Sequence, residues 1–317
     1  MNKKTIISAV LGALIFTYLI KISNIDTNII YSIQNPVYIL LAAILTAICF
    51  PLFALRMKCI LKAIKKENIP LLTLTKIEFT SKFIYYVTPS KVYLPVKALL
   101  LNKQCSIRKS TGVAVATFEY GLDVSSMLII SIIGLTVFQQ STNISSIGPA
   151  KILAILIILT IIFLKIPIDT ISKTLNNLNI AKIGIIKKGI KYAIILAKNS
   201  KNTWKTILTN RKMRIIIPIM ILIWFIGALG IKMLFMSYGI NVSIIHIFLI
   251  NMISTVAGGI SQIPGGLGVR EGAAVIIYNS IGVAQETTIM VMIIARLMSI
   301  IPITVGYYIS TKTNKEC

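Results

Sequence analysis

Long apolar segments dominate this sequence and restrict what it can fold into. Residues 37–55, 112–138, 215–238 and 287–309 each carry at most two charged side chains. At about 1.5 Å per residue, a helix of each length spans the roughly 30 Å hydrocarbon core of a bilayer. The mean hydropathy is +0.86, far above that of soluble domains. Because backbone groups find no water inside a bilayer, such segments must be helical. The sequence therefore predicts an all-α polytopic membrane protein.

Positive charge fills the stretches between the apolar segments. The chain has 33 Lys and Arg against 9 Asp and Glu, a formal charge of +24. In a soluble protein this excess would indicate nucleic acid, but basic loops between spans are what the positive-inside rule predicts. We therefore expect no nucleic-acid partner. Lys3 and Lys4 near one end, and Lys312 and Lys315 near the other, place both termini in the cytoplasm. The expected location is the cell membrane.

Charge placement and hydropathy together give about six full spans. Residues 169–214 are strongly basic with scattered apolar positions, which predicts a cytoplasmic amphipathic region. Residues 5–20 are short for a span but lack a clean signal-peptide cleavage site, so we expect a retained first helix. The predicted spans are residues 5–20, 37–55, 112–138, 151–168, 215–238 and 287–309.

Two further apolar stretches are predicted to be re-entrant helical hairpins. Residues 79–101 have basic flanks on both sides and contain Pro89 and Pro95, which favours a hairpin that turns near residues 88–90. Residues 244–281 contain a Gly-Pro break and end before Gln285-Glu286-Thr287, a stretch with no positive charge, which favours a hairpin entered from outside. Residues 37–138 and 215–309 then share the order span, hairpin, span. This pattern predicts inverted-topology repeats within a single transmembrane domain over residues 1–317.

The break inside the second hairpin is the most unusual local feature. Residues 257–275 read AGGISQIPGGLGVREGAAV, with five Gly and a Pro before an Arg-Glu pair. A glycine-rich break that opens a new helix leaves backbone N–H groups free to bind an anion. We therefore predict a lipid headgroup site from Pro264, Gly265, Gly266, Gly268, Arg270 and Glu271. The alternative is that the glycines only permit close packing.

Other charges inside the apolar segments extend the candidate site. Glu119 and Asp123 lie four residues apart on one helix face, where they either pair with Arg296 or Lys97 or contact lipid or a proton directly. Lys91 and Lys97 either bind a lipid phosphate or extend to the membrane boundary. The candidate headgroup-binding residues beyond the break are therefore Glu119, Asp123, Arg296, Lys91 and Lys97. Two further sets are interpreted structurally, namely Arg56 and Lys58 as cytoplasmic anchors and Tyr85, Tyr86, Tyr307 and Tyr308 as interface belts.

Metal and nucleophilic chemistry find little support in the sequence. Cys49, Cys59, Cys105 and Cys317 have no CxxC spacing, and His246 is the single histidine. No Asp-x-Asp pair is present for a divalent metal. We therefore expect no metal, no cofactor and no enzymatic activity.

The run QIPGGLGVREGA at residues 262–273, followed by Arg296, resembles the closing motif of the lysylphosphatidylglycerol synthase transmembrane region, a flippase-like (UPF0104-type) family. Weaker resemblances come in the same order. Leu55-Arg56 is similar to an early Arg of the family. The stretch Thr88-Pro89-Ser90-Lys91, with Lys97, is similar to its Pro-Gly/Ser-Arg/Lys stretch. Glu119 and Asp123 are similar to its Glu-Arg-x-x-Asp helix. Tyr93 and Leu94 replace the family's Gly-Glu, and Tyr120 replaces its Arg, which puts the polar role of the first hairpin in doubt.

The resemblance implies a lipid flippase without the soluble synthase domain. We expect it to move an anionic, aminoacylated or polyprenyl-phosphate-linked (glyco)lipid headgroup, with membrane lipids as its partners. Two alternatives are a membrane-embedded enzyme that modifies lipids or glycans, and an accessory partner of a glycosyltransferase or synthase. The sequence leaves open whether the protein forms a homo-oligomer.

Overall fold

The computed structural model describes residues 33–64, 69–88, 92–141, 203–211, 213–261 and 263–313. This part of the chain is helical and contains no strand, which confirms the all-α prediction. A short helix at residues 203–209 and a 3₁₀ turn at Pro264–Gly266 accompany eight longer helices. These are α1 (Val37–Ala63), α2 (Leu71–Val87), α3 (Tyr93–Cys105), α4 (Lys109–Ser141), α5 (Met213–Ser237), α6 (Ile244–Ser261), α7 (Val269–Ser280) and α8 (Gln285–Thr313).

Five of these helices, α1, α4, α5, α6 and α8, are long and apolar enough to cross a membrane. Their outward surfaces carry exposed apolar side chains such as Leu40, Ile129 and Ile301. Bare hydrocarbon of this kind belongs in lipid rather than in water. The chain is therefore a multi-pass membrane protein. The predicted spans at 5–20 and 151–168, and most of the basic region at 169–214, lie outside the described residues.

The first predicted hairpin contains two contacting helices, α2, which ends at Val87, and α3, which begins at Tyr93. The helix before the turn begins at Leu71, eight residues earlier than the apolar run suggests. Pro95 does not break α3 because it occupies the first turn, where no intrahelical N–H bond is required. At about 25 Å and 20 Å, both helices are shorter than the hydrocarbon core. Re-entry from the cytoplasmic side stays a prediction.

The second predicted hairpin consists of α6, the glycine-rich turn and α7. Gly265, Gly266 and Gly268 have φ angles of 58°, 65° and 80°, values that side chains with a Cβ rarely adopt. The helix α7, at about 18 Å, is too short to cross, whereas α6, at about 27 Å, is long enough to do so alone. That this hairpin dips in from outside therefore stays a prediction.

Helices at matching positions in the two halves contact matching partners. The first helices of the halves, α1 and α5, pack against each other, and α2 contacts α8 as α6 contacts α4. Such an exchange of contacts is what two related halves would produce. The inverted orientation of the repeats stays a prediction.

One boundary differs in a way that matters for the site. The helix α1 continues past the end of the apolar run at Leu55 to Ala63, and Arg56 is only 3% exposed. The interpretation of Arg56 as a cytoplasmic anchor is therefore wrong. Its charge is held inside the protein by carboxylates of another helix, which a hydropathy profile does not register.

Candidate functional site

A cavity of about 810 Å³ lies inside the helical bundle, and all eight helices contribute to its wall. Much of the wall is apolar, but nine charged side chains also line it. Charge buried among membrane helices is costly and usually functional. The lining cations are Arg56, Lys82, Lys97, Arg270 and Arg296, and the lining anions are Glu78, Glu119, Asp123 and Glu271.

Five of these residues form a chain of ion pairs, here called the first charge cluster: Glu78, Lys97, Glu119, Arg56 and Asp123. The Lys97 ammonium donates to Glu78 Oε1 at 2.7 Å and to Glu119 Oε2 at 2.5 Å. The Arg56 guanidinium donates to both oxygens of Asp123, at 2.5 Å and 3.0 Å. The cluster joins α1, α2, α3 and α4, so it fixes the first half of the bundle as one unit.

The middle of the first charge cluster is not fully bonded. Arg56 Nε lies 3.7 Å from Glu119 Oε1, too far for a direct hydrogen bond. Both atoms are buried and have no other hydrogen-bond partner among the described residues. Unpaired buried polar atoms cost roughly 1–3 kcal/mol each. Arg56 and Glu119 both line the cavity, so a polar ligand group that reached these atoms would complete their hydrogen bonding.

A second charge cluster, Glu271 and Arg296, fastens the glycine-rich turn. Arg296 Nε donates to Glu271 Oε1 at 2.8 Å, and the same guanidinium donates to the Gly265 carbonyl at 3.0 Å. The other oxygen of Glu271 accepts from the Gly268 N–H at 2.8 Å. Glu271 is 2% exposed. This carboxylate therefore ties α7 to α8 and also closes the start of its own helix.

Two lining cations have no carboxylate within ion-pair distance among the described residues. Within the described part of the chain, the Arg270 side chain donates to the Asn251 amide oxygen at 2.9 Å, and its buried Nε has no hydrogen-bond partner there. The Lys82 ammonium lies 3.4 Å from the centroid of the Phe53 ring. All four lining carboxylates are already engaged by Lys97, Arg56 or Arg296. The cavity thus offers an incoming anion two cations, one on α2 and one on α7.

Three backbone N–H groups of the glycine-rich turn are already bonded within the protein, and a headgroup site at this turn stays a prediction. The N–H groups of Gly266, Leu267 and Gly268 bond to Ile263, Pro264 and Glu271 respectively. Pro264, Gly265 and Gly266 are buried, and Gly266 packs on Gly258 so closely that an added Cβ would lie 2.9 Å from its Cα. For Gly266, this geometry fits the alternative of close packing. Arg270 and Glu271 do line the cavity.

Tyr85 and Tyr86 also differ from expectation. They line the cavity rather than a membrane interface, and Tyr86 packs against Gly265 at the tip of the second hairpin. Their position follows from α2 turning its polar face inward. Tyr307 stacks on Phe83 with centroids 4.2 Å apart, while Tyr308 is exposed, as an interface residue would be.

The predicted residues otherwise meet in one place. Lys97 pairs with Glu119, and Glu271 with Arg296, around a cavity that also contains Asp123 and Arg270. Lys91 lies outside the described residues. Despite the departures at Tyr93, Leu94 and Tyr120, the first hairpin keeps a polar role through Lys97.

Sequence reasoning missed Glu78, Lys82 and Asn251 as lining residues. Glu78 and Lys82 are four residues apart in a segment that α2 makes helical, so a helical projection would have placed both on the face that carries Ser81 and Tyr85. Asn251, within an apolar run, was detectable only as a polar residue at membrane depth.

Comparison with protein families identifies the family of this membrane protein. The family model described as the lysylphosphatidylglycerol synthase TM region matches residues 5–306. The chain belongs to this family. The match covers both charge clusters and the cavity, so the site described above is part of the family's domain.

Two curated members of similar sequence come from archaea. A UPF0104 membrane protein of Methanothermobacter thermautotrophicus is 24% identical over 284 residues, which cover 84% of this chain and 82% of that protein. UPF0104 membrane protein PH1989 of Pyrococcus horikoshii is 25% identical over 204 residues, which cover 62% of this chain and 58% of that protein. Both names place the relatives in a membrane.

Proposed function

We propose that this protein carries the polar headgroup of a lipid across the bilayer through the charged cavity. The observation that supports the proposal is a single cavity of about 810 Å³ lined by both charge clusters. Apolar surfaces enclose the bundle, so the acyl chains remain in lipid while the headgroup passes through a polar interior. Such a route lowers the cost of moving a charged group through hydrocarbon.

The charge of the wall favours an anionic headgroup. Five cations and four anions line the cavity, and two of these cations, Lys82 and Arg270, have no carboxylate partner among the residues that the structure describes. A phosphate would satisfy their unused donors by charge-assisted hydrogen bonds. The candidate substrates that carry such a phosphate are anionic phospholipids, aminoacylated phospholipids and polyprenyl-phosphate-linked (glyco)lipids. We place the protein in the cell membrane with both termini in the cytoplasm, as the charge distribution predicts.

The contacts between the two halves are the ones that would open and close during transport. On α2 and α8, Thr80 bonds to Ser310 at 3.0 Å, and Phe83 stacks on Tyr307. Opening this contact while the matching contact of α4 with α6 stays closed would expose the cavity to one side of the membrane. Rocking of one half against the other would alternate the two states.

The alternative of a lipid- or glycan-modifying enzyme needs an acid or base able to exchange a proton with substrate. Each carboxylate lining the cavity instead sits in an ion pair with Lys or Arg. This arrangement suits binding better than proton transfer. A role as accessory partner of a synthase or glycosyltransferase would depend on residues 169–214.

The test is lipid movement in liposomes that contain the purified protein and fluorescent phosphatidylglycerol, followed by chemical quenching of the outer leaflet. The wild-type protein should expose inner-leaflet lipid to quenching, and Arg270→Gln should slow this by about tenfold, equivalent to one lost charged hydrogen bond. The matched control is Arg214→Gln, an exposed arginine at the start of α5. Equal rates for wild type and protein-free liposomes would refute the proposal.

A further inference from the structure

A row of four tyrosines crosses the cavity wall between the two charge clusters. The ring centroids of Tyr86 and Tyr85 are 5.5 Å apart, those of Tyr85 and Tyr93 5.8 Å, and those of Tyr93 and Tyr120 6.4 Å. Each neighbouring pair meets edge to face. The row begins beside Arg296, whose guanidinium carbon lies 6.0 Å from the Tyr86 centroid, and ends next to Glu119 in the sequence.

The row presents both an apolar and a polar surface to the cavity. All four tyrosines are lining residues, and none of them is more than intermediately exposed. Their hydroxyls form no hydrogen bond with other groups in the described part of the chain. These hydroxyls are not among the buried polar atoms, so they are open to the cavity and free to bond to a ligand. A ligand that packs a C–H face on a ring and offers hydroxyls at its edge would use both surfaces.

The charges around the row limit what else that ligand carries. Lys82 and Arg270 are available to an anion, whereas Glu78, Glu119, Asp123 and Glu271 are all paired. An ammonium group would therefore find no unpaired carboxylate among these lining residues, and it would lie near cations. An aminoacylated headgroup fits this wall poorly, and a neutral polyol fits it well.

We propose that the cavity selects a lipid whose phosphate bears a sugar or other polyol ring, with the phosphate near Lys82 and Arg270 and the ring against the tyrosine row. This inference rests on the proposed function, because it names the substrate class of the same cavity. The shared chemistry is a six-membered polyol ring beside a phosphate, and the lipid tail is either diacylglycerol or polyprenol.

The experiment measures binding in detergent, by displacement of fluorescent phosphatidylglycerol from the purified protein. Phosphatidylinositol and phosphatidylglycerol form one matched pair, equal in charge and tail but different in the ring. Polyprenyl-phosphate hexose and the methyl ester of polyprenyl phosphate form a second pair on the other tail, again equal in charge and different in the ring. Lysylphosphatidylglycerol tests how an added ammonium group on the headgroup changes binding.

We expect the ring-bearing lipid to displace the probe at a concentration about two- to tenfold lower in at least one pair, the range given by one or two ring contacts. Lysylphosphatidylglycerol should be the weakest competitor. Tyr93→Leu and Tyr120→Leu should each bring the ratio of displacing concentrations within a pair closer to one. Tyr93→Phe keeps the aromatic face and should retain most of the preference for the ring-bearing lipid. Two leucine variants are included so that one failure to fold still leaves a test.

Equal displacement within both pairs, or tightest binding by lysylphosphatidylglycerol, would overturn the inference. A ring preference that survives both leucine variants would also overturn it, because the tyrosine row would not be its source. Transport in liposomes separates this failure from that of the proposed function. Transport without a ring preference refutes only the ring site, and a ring preference without transport refutes only the flippase.

Discussion

Arg56 on α1 and Asp123 on α4, 67 residues apart in sequence, form a two-bond ion pair inside the membrane domain. Arg56 is 3% exposed and Asp123 21%. A guanidinium matched to both oxygens of a carboxylate is among the strongest polar contacts in proteins. The pair anchors the first charge cluster and fixes where α1 stands relative to α4.

Removal of either partner of this pair should destabilise the protein. Arg56→Met and Asp123→Leu should each lower the free energy of unfolding by about 1–3 kcal/mol, because each leaves the remaining side chain without its two charged hydrogen bonds. The double variant should lose less than either single variant, since it leaves neither charge. Thermal unfolding in detergent measures all three. Additive losses in the double variant would contradict the pairing.

The turn of the second hairpin should tolerate no side chain at Gly266. There φ is 65°, and an added Cβ would lie 2.9 Å from the Gly258 Cα. Gly266→Ala should therefore cost at least about 1–2 kcal/mol of stability. Gly259→Ala is the matched control, because no atom lies within 4 Å of its added Cβ. If the two variants unfold at the same temperature, the packing account of this turn is wrong.

The contact between α2 and α8 should be sensitive to size. A Cβ at Gly306 would lie 2.5 Å from the Phe79 ring, so Gly306→Ala should destabilise the protein by about 1–3 kcal/mol. Phe79→Leu combined with Gly306→Ala should recover part of that loss, because it frees space on the facing helix. Chemical denaturation of both variants checks the coupling, and the absence of any recovery would argue against direct contact.

Locking the same contact should stop transport. The hydroxyls of Thr80 and Ser310 lie 3.0 Å apart, so Thr80→Cys with Ser310→Cys places two thiols near each other on α2 and α8. Oxidation in a background without the native cysteines should abolish lipid movement, and reduction should restore it. Each single cysteine variant serves as control. Full transport by the oxidised double variant would mean that α2 and α8 do not separate during the cycle.

The helices were largely predictable from sequence, because a long apolar run inside a bilayer has few other solutions. The break before Val269 was predictable for a different reason, since only glycine readily adopts three positive φ angles at such short spacing. These features are local. They depend on side chains within a few positions of one another.

The partners of the charges were only partly predictable. Lys97 and Glu119 were paired correctly as one of two alternatives, but the pairing of Arg56 with Asp123 and of Glu78 with Lys97 depends on how separate helices pack. The same holds for Tyr85 and Tyr86, which a hydropathy profile assigns to the membrane surface. No local signal distinguishes an anchoring arginine from a buried one when its partner lies three helices further along the chain.

The central claim is that the headgroup passes through the cavity, and blocking the cavity tests it most directly. Gly227 on α5 lines the cavity, and no atom lies within 4 Å of its added Cβ, so Gly227→Trp adds bulk there. Ile221→Trp, on the exposed face of the same helix, is the control. In the liposome assay, Gly227→Trp should transport lipid at the rate of protein-free liposomes while Ile221→Trp keeps the wild-type rate. Wild-type transport by a folded Gly227→Trp would contradict the claim.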